Sequence, residues 1–155
     1  EGVEVVHRVA VLQFRVPDAV ADAKMLQPLL LAAAVLTWVA GFDLIYSCQD
    51  AEFDSKRGLH SVPARFGCTF SLRASIALHM VTVGALICLA LRADLSWIFE
   101  TTIVVAALLL IWEHSIVSPS DLSRVNMAFF TLNGWVGVGL FLGCALDLFF
   151  LSGVA

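Results

Sequence analysis

The chain has 155 residues, of which 60% are apolar and 14% charged, with a mean hydropathy of +0.91 and a net charge of -4. A soluble domain averages about 45–50% apolar and about 25% charged residues, so this chain has too few charges to coat a soluble fold of its size. Disorder, an ordinary soluble globule and a nucleic-acid binder are excluded, the last also by the negative charge. An integral membrane protein remains.

Residues 1–24 differ from the rest. Val3, Val5, Val9 and Val11 partly alternate with Glu4, His7, Arg8, Gln13 and Arg15, until Pro17 and Asp18 break the pattern. The alternation predicts a short strand or a surface segment, not a span, and no function is assigned to it. No signal peptide is recognisable, and Glu1 reads as an interior or processed start or a truncated frame.

Four apolar runs follow, over residues 26–47, 74–91, 95–112 and 125–146, the last continuing towards Phe150. Each is close to the roughly 20 residues a spanning helix needs, and helices satisfy the backbone in lipid where a few strands could not close a barrel. Trp97 and Trp112 are the best candidates for an aromatic belt. Gly139 and Gly143 make one GxxxG, and Cys48, Cys68, Cys88 and Cys144 are scattered and read as core thiols. Glu100 and Asp147, near span ends, are expected at the membrane interface. His79 reads as a packed, hydrogen-bonded histidine. Glu113 and His114 resemble a metal pair only superficially, because neighbours on a helix point apart.

The connections are unequal. The first is long and charged, with Asp50, Glu52, Asp54, Lys56, Arg57, Arg65 and Arg73; the second is a short turn with Arg92 and Asp94. In the third, Ser118 reads as an N-cap, Pro119 as the first helical residue and Asp121 as the capping-box partner. The basic residues of the first loop and Arg124 of the third fall on one side, which the positive-inside rule places in the cytoplasm.

The most informative segment joins the first span to its loop. If the helix continues through it, Asp43, Tyr46, Asp50 and Asp54 are spaced i, i+3, i+7 and i+11. At roughly 100° per residue they fall within about 80° of one another. Stacked like charges at a membrane boundary need compensation. One source is a divalent cation such as Mg²⁺, usually held by carboxylates, waters and substrate phosphates. The other is pairing of Asp50 and Asp54 with Lys56, Arg57 or Arg65. Gly58 reads as the helix stop, beyond which Lys56, Arg57, His60 and Arg65 crowd the mouth of the stripe. Acids for a cation beside bases for an anion suit a Mg²⁺–diphosphate site.

WVAGFDLIYSCQDAEFDSKRGLHSVPARFG, residues 38–67, resembles the second aspartate-rich region of the UbiA-type membrane prenyltransferases, and most closely their 4-hydroxybenzoate polyprenyltransferase-like group. WEHSIVSPSDLSRVNMAFFTLNG, residues 112–134, is similar to that group's loop and last helix. The resemblance covers about residues 26–151 and implies an all-α integral membrane fold. These four transmembrane helices would be the last four of a nine-helix bundle whose active site opens to the cytoplasmic face of a bacterial inner membrane. It divides the chain into an unassigned polar segment, residues 1–24, and the C-terminal part of a prenyltransferase domain, residues 25–155.

The resemblance further implies Mg²⁺-dependent transfer of a polyprenyl group from polyprenyl diphosphate to an aromatic acceptor, 4-hydroxybenzoate or a relative, in ubiquinone or menaquinone formation. Some members of the group serve the futalosine route with a different acceptor. By position, Asp50 and Asp54 match the metal-binding acids, and Asp43 and Tyr46 match upstream cavity positions. Lys56, Arg57 and Arg65 match the diphosphate-binding side, and Arg124, Asn126 and Asn133 match polar positions of the last helix. The family's first motif, NDxxDxxxD, does not occur in these residues, so the chain is expected to be a C-terminal portion, inactive without the preceding helices of the same enzyme. A non-catalytic membrane module and, last, an ion or proton transporter are the competing readings.

Overall fold

The computed structural model describes residues 23–150. The expected polar segment lies outside the described residues, except for its last two, which open the first helix. Every long element is helical. Helix α1 spans Ala23–Tyr46, a 3₁₀ turn spans Ser47–Asp50, and α2 spans Ala51–Arg57. The short α3 (Val62–Phe66) leads into α4 (Cys68–Ala93) and α5 (Trp97–Ile116). A π-helical segment, Met127–Leu132, runs into α6 (Asn133–Phe150).

Four helical stretches are long and apolar enough to cross a membrane: Met25–Arg57, Cys68–Ala93, Trp97–Ile116 and Met127–Phe149. Their outer faces carry Leu36, Met80, Leu91, Phe141 and Phe149, each at least 70% exposed, as expected of side chains whose solvent is lipid. Trp97 and Trp112 are also exposed, near opposite ends of α5, which suits belt positions. Cys88 too is exposed on the outer face of α4, whereas Cys48 is buried as a core thiol.

Helix α1 lies along α4, and α5 lies along α6. Lipid tails are as apolar as the helix faces, so small residues and interhelical hydrogen bonds carry much of the specificity. Between α1 and α4 the Thr37 and Thr82 hydroxyls meet at 2.8 Å, and Ser75 Oγ donates to the Gly41 carbonyl at 2.8 Å. Between α5 and α6, Gly143 is the close-approach residue, since a Cβ there would overlap Thr102. Gly139, its GxxxG partner in sequence, has open space beside it, so only half of that motif serves packing.

Asp147 lies near the end of its span, as expected, but is fully buried against the start of α5. Its Oδ2 accepts from Ser96 N–H at 2.9 Å, Ser96 Oγ–H at 2.6 Å and Phe99 N–H at 3.2 Å. The acid of α6 thus satisfies backbone donors left open at the start of α5, where a helix dipole favours negative charge. Glu100 is exposed, as an interfacial position should be.

Ser118 does not cap a helix. Its backbone pairs with Asp121 in both directions at 3.1 Å, and its Oγ accepts the Asp121 N–H at 3.0 Å. Ser at the first and Pro at the second position favour a closed β-turn as much as a helix start. Hydrogen bonds from Ser123, hydroxyl first and then N–H, hold the Asp121 carboxyl below the usual carboxylate range. The helical backbone resumes only at Val125. There an i+5 bond from Asn133 N–H to Ala128 O widens the first turns into the π segment.

Candidate active site

The acidic segment lies where α1 leaves the apolar region. Asp43 and Tyr46 occupy the last turn of α1, Asp50 closes the 3₁₀ turn, and Asp54 sits on α2. The helix does not run through unbroken. It tightens over Ser47–Asp50, and Asp50 adopts φ −96°, ψ 0°, the bridge region in which many active-site residues sit. At about 120° per residue through this turn and about 100° elsewhere, Asp50 and Asp54 swing to roughly 60° and 100° from Asp43. The stripe expected from an ideal helix is therefore fanned. Asp43 and Asp50 are exposed, and Asp54 and Tyr46 half-buried.

Gly58 stops α2 as expected, in the left-handed conformation with φ 69°. Its N–H donates to Ser55 O at 3.3 Å, and Leu59 N–H donates to Asp54 O at 2.9 Å. Ser61 then caps α3 by accepting the Ala64 N–H at 3.3 Å, with Pro63 in the first turn. This corner forms a cavity of about 500 Å³ lined by Ser55, Gly58, Leu59, His60, Ala64 and Arg65. Arg65 and His60 are thereby brought together beside the acidic helix.

The remaining bases have other partners. Lys56 Nζ donates to Glu52 Oε1 at 2.6 Å, one helical turn back, rather than to Asp50 or Asp54. The Arg57 guanidinium lies 5.4 Å from the Phe53 ring centroid, and Arg65 lies 5.3 Å from that of Phe66. Among the described residues no basic side chain pairs with Asp50 or Asp54, so the acids are not neutralised by Lys56, Arg57 or Arg65.

The last span reaches the same end of the bundle. Tyr46 packs against Phe129 and Phe130 of the π segment, with ring centroids 4.5 and 6.4 Å away. Gln49 Nε2 donates to Asn126 Oδ1 at 3.3 Å. At the opposite end, Gln27 Nε2 donates to the Arg92 carbonyl at 3.0 Å. The two longer loops, with their bases, therefore lie together, as the charge distribution predicted.

A second constellation escaped the sequence reading. His79 of α4, with Glu113 and His114 of α5, bring one ligand-type atom each to within 4.8 Å of one another. Adjacent residues on a helix do diverge, but His79 enters between them from the facing helix. The sequence signal was a histidine in an apolar run opposite a Glu–His pair near the end of the next one.

Residues 16–145 match the model of the UbiA prenyltransferase family. A 4-hydroxybenzoate octaprenyltransferase of Hahella chejuensis is 29% identical over 130 residues, covering 83% of this chain and 42% of that protein. The enzyme of the same name from Marinobacter nauticus is 32% identical, over 91% of this chain and 48% of its own length. Among solved structures, the apo form of a UbiA homologue from Aeropyrum pernix K1 superposes with a TM-score of 0.68 at 36% identity, over 78% of this chain and 42% of that one. The chain thus spans less than half the length of these relatives. With the family match running from before α1 into α6, and an all-helical membrane fold shared with a solved homologue, the chain belongs to the UbiA prenyltransferase family.

Proposed function

We propose that this chain forms the C-terminal half of the catalytic domain of an aromatic polyprenyltransferase. The reaction moves a polyprenyl group from its diphosphate to an aromatic acceptor of the 4-hydroxybenzoate type, in quinone biosynthesis. Family membership and the names of the relatives support the reaction class. The observation that carries the site is the pair Asp50 and Asp54, two carboxylates at the boundary of a span without a basic partner among the described residues.

Hard carboxylate oxygens, one exposed and one half-buried, fit Mg²⁺, which keeps several waters and binds through one or two carboxylates plus phosphate oxygens. Asp50 and Asp54 would hold it, and when bound it supplies positive charge for the departing diphosphate. Arg65 and His60, on the wall of the adjoining cavity, offer charge-assisted hydrogen bonds to phosphate oxygens. Tyr46, closed in by Phe129 and Phe130, gives the site an aromatic wall on its apolar side that limits access of water. In the transfer, the C–O bond of the donor breaks with loss of diphosphate. A ring carbon of the acceptor forms the new C–C bond, and the ring then loses a proton. The bases in the loops at this end support a cytoplasmic orientation by the positive-inside rule.

The test is Asp50→Ala and Asp54→Ala in the complete enzyme, assayed as membranes with prenyl diphosphate and 4-hydroxybenzoate. Each variant is expected to insert normally and to lose at least about 100-fold in turnover, the scale of removing a preorganised charge-stabilising group. Retained turnover in both would refute the site and favour a non-catalytic membrane module.

A further inference from the structure

Glu113 is fully buried, and neither carboxylate oxygen has a hydrogen-bond partner among the described residues. In a membrane bundle such a carboxylate needs a charge or a donor to balance it. Among the described residues, the polar groups brought towards it are the imidazoles of His79 and His114. His79 Nδ1 lies 3.8 Å from Glu113 Oε2 and 3.0 Å from His114 Nε2.

The far side of His79 fixes its chemistry. Its Nε2 lies 3.3 Å from the Trp38 carbonyl of α1, which can only accept, so the ring proton sits on Nε2. Nδ1 then presents a lone pair to His114 and Glu113. An imidazole whose second nitrogen donates to a backbone carbonyl is the usual outer arrangement of a metal-ligating histidine. Gly41 makes this possible, because a Cβ at that position would overlap the His79 ring.

We propose that His79, Glu113 and His114 form a binding site for a divalent transition-metal ion of the zinc class, clamping α4 to α5. Two imidazoles and one carboxylate are a known three-ligand set for Zn²⁺. Tetrahedral bonds of about 2.0–2.1 Å place neighbouring ligand atoms roughly 3.3 Å apart. The observed 3.0 and 3.8 Å from His79 Nδ1 bracket that spacing, and the third pair, His114 with Glu113, lies within 4.8 Å. Both histidines also line an apolar cavity of about 530 Å³ with Met80, Val83, Leu110 and Ile111, which leaves room for a fourth ligand. The site uses neither Asp50 nor Asp54 and is softer in donor type than the Mg²⁺ site proposed at the end of α1, so the two select different ions.

The chain is purified in detergent, stripped with a chelator and titrated with Co²⁺ and then Zn²⁺. One Co²⁺ per chain is expected, with the intense visible absorption of a four-coordinate nitrogen–oxygen site, abolished by one equivalent of Zn²⁺. H79Q, E113Q and H114Q should each weaken Zn²⁺ binding by about 100-fold or more, beyond what loss of an outer-sphere partner costs. H60Q and the D50N/D54N pair should leave that binding unchanged. No stoichiometric Co²⁺ uptake, the pale spectrum of six-coordinate Co²⁺, or binding that survives in H79Q or H114Q would overturn the proposal. The wild-type spectrum decides the matter even if a variant fails to fold.

Discussion

The imidazole of His79 lies against the backbone of α1 at Gly41, in the volume that any other residue at 41 would fill with its side chain. Asp43 and Tyr46 follow on the same helix, and the 3₁₀ turn that ends at Asp50 continues directly from it. The packing of α1 on α4 therefore fixes the position of the proposed active site. Gly41→Ala would force either a shift of α1 or rotation of His79 away from Trp38 O. Overpacking of this kind costs about 1–3 kcal/mol. Thermal unfolding in detergent should show that loss. Gly84→Ala, where a Cβ meets nothing, should be neutral or slightly stabilising.

Asp147 performs a comparable service at the other end of the bundle. One carboxylate oxygen accepts three hydrogen bonds from Ser96 and Phe99, so α6 supplies the cap for α5. Asp147→Ala leaves those donors unsatisfied and should destabilise by about 1–3 kcal/mol. Asp147→Asn keeps an acceptor and should recover part of the loss. Equal stability of the alanine variant and the wild type in detergent unfolding would contradict the capping role.

These residues show what a linear reading can and cannot reach. The four spans were legible because run length alone decides whether a helix can cross a bilayer, and the observed helices exceed the apolar runs mainly by polar end turns such as residues 68–73. Gly58 was legible because a left-handed stop calls for glycine. The 3₁₀ turn at Ser47–Asp50 was not, since tightening by one hydrogen-bond step leaves no mark on composition. The burial of Asp147 and the convergence of His79 on Glu113 and His114 were not legible, for a common reason. Their environment is made by residues far away in sequence, so spacing along one helix says nothing about what the facing helix inserts. Ser118 was misread because its dipeptide with Pro119 is compatible with both a turn and a helix start.

The basic residues of the first loop are unequal in what they can offer a phosphate. Lys56 is already paired with Glu52, and the two side chains are 72% and 81% exposed, so the pair contributes little to stability. Arg65 lines the cavity beside α2 together with His60. In the complete enzyme, Arg65→Ala should raise KM for the prenyl diphosphate by about 10-fold or more, the equivalent of one charged hydrogen bond. Lys56→Ala should change it by less than about 3-fold, consistent with a weak exposed pair. The reverse order in steady-state assays would move the diphosphate site from the α2–α3 corner to the outer face of α2.

The fanning of the acids carries a consequence for activity. Among the described residues, the set His79, Glu113 and His114 is the only one in which three ligand-type atoms converge; Asp43, Asp50 and Asp54 do not. A diphosphate with its cations carries several charges, and two carboxylates on one continuous stretch of chain, Asp50 exposed and Asp54 half-buried, cannot enclose it or exclude water from it. Acids from a facing helix would complete the enclosure, as the resemblance to a two-motif enzyme implies. The purified chain, reconstituted in liposomes with Mg²⁺, prenyl diphosphate and 4-hydroxybenzoate, should therefore show no prenylated product. Co-expression with the N-terminal half of a relative carrying NDxxDxxxD should restore it, and Asp50→Ala in that pair should abolish it again. Turnover by the chain alone would mean that Asp50 and Asp54 suffice, and that the facing acids are dispensable.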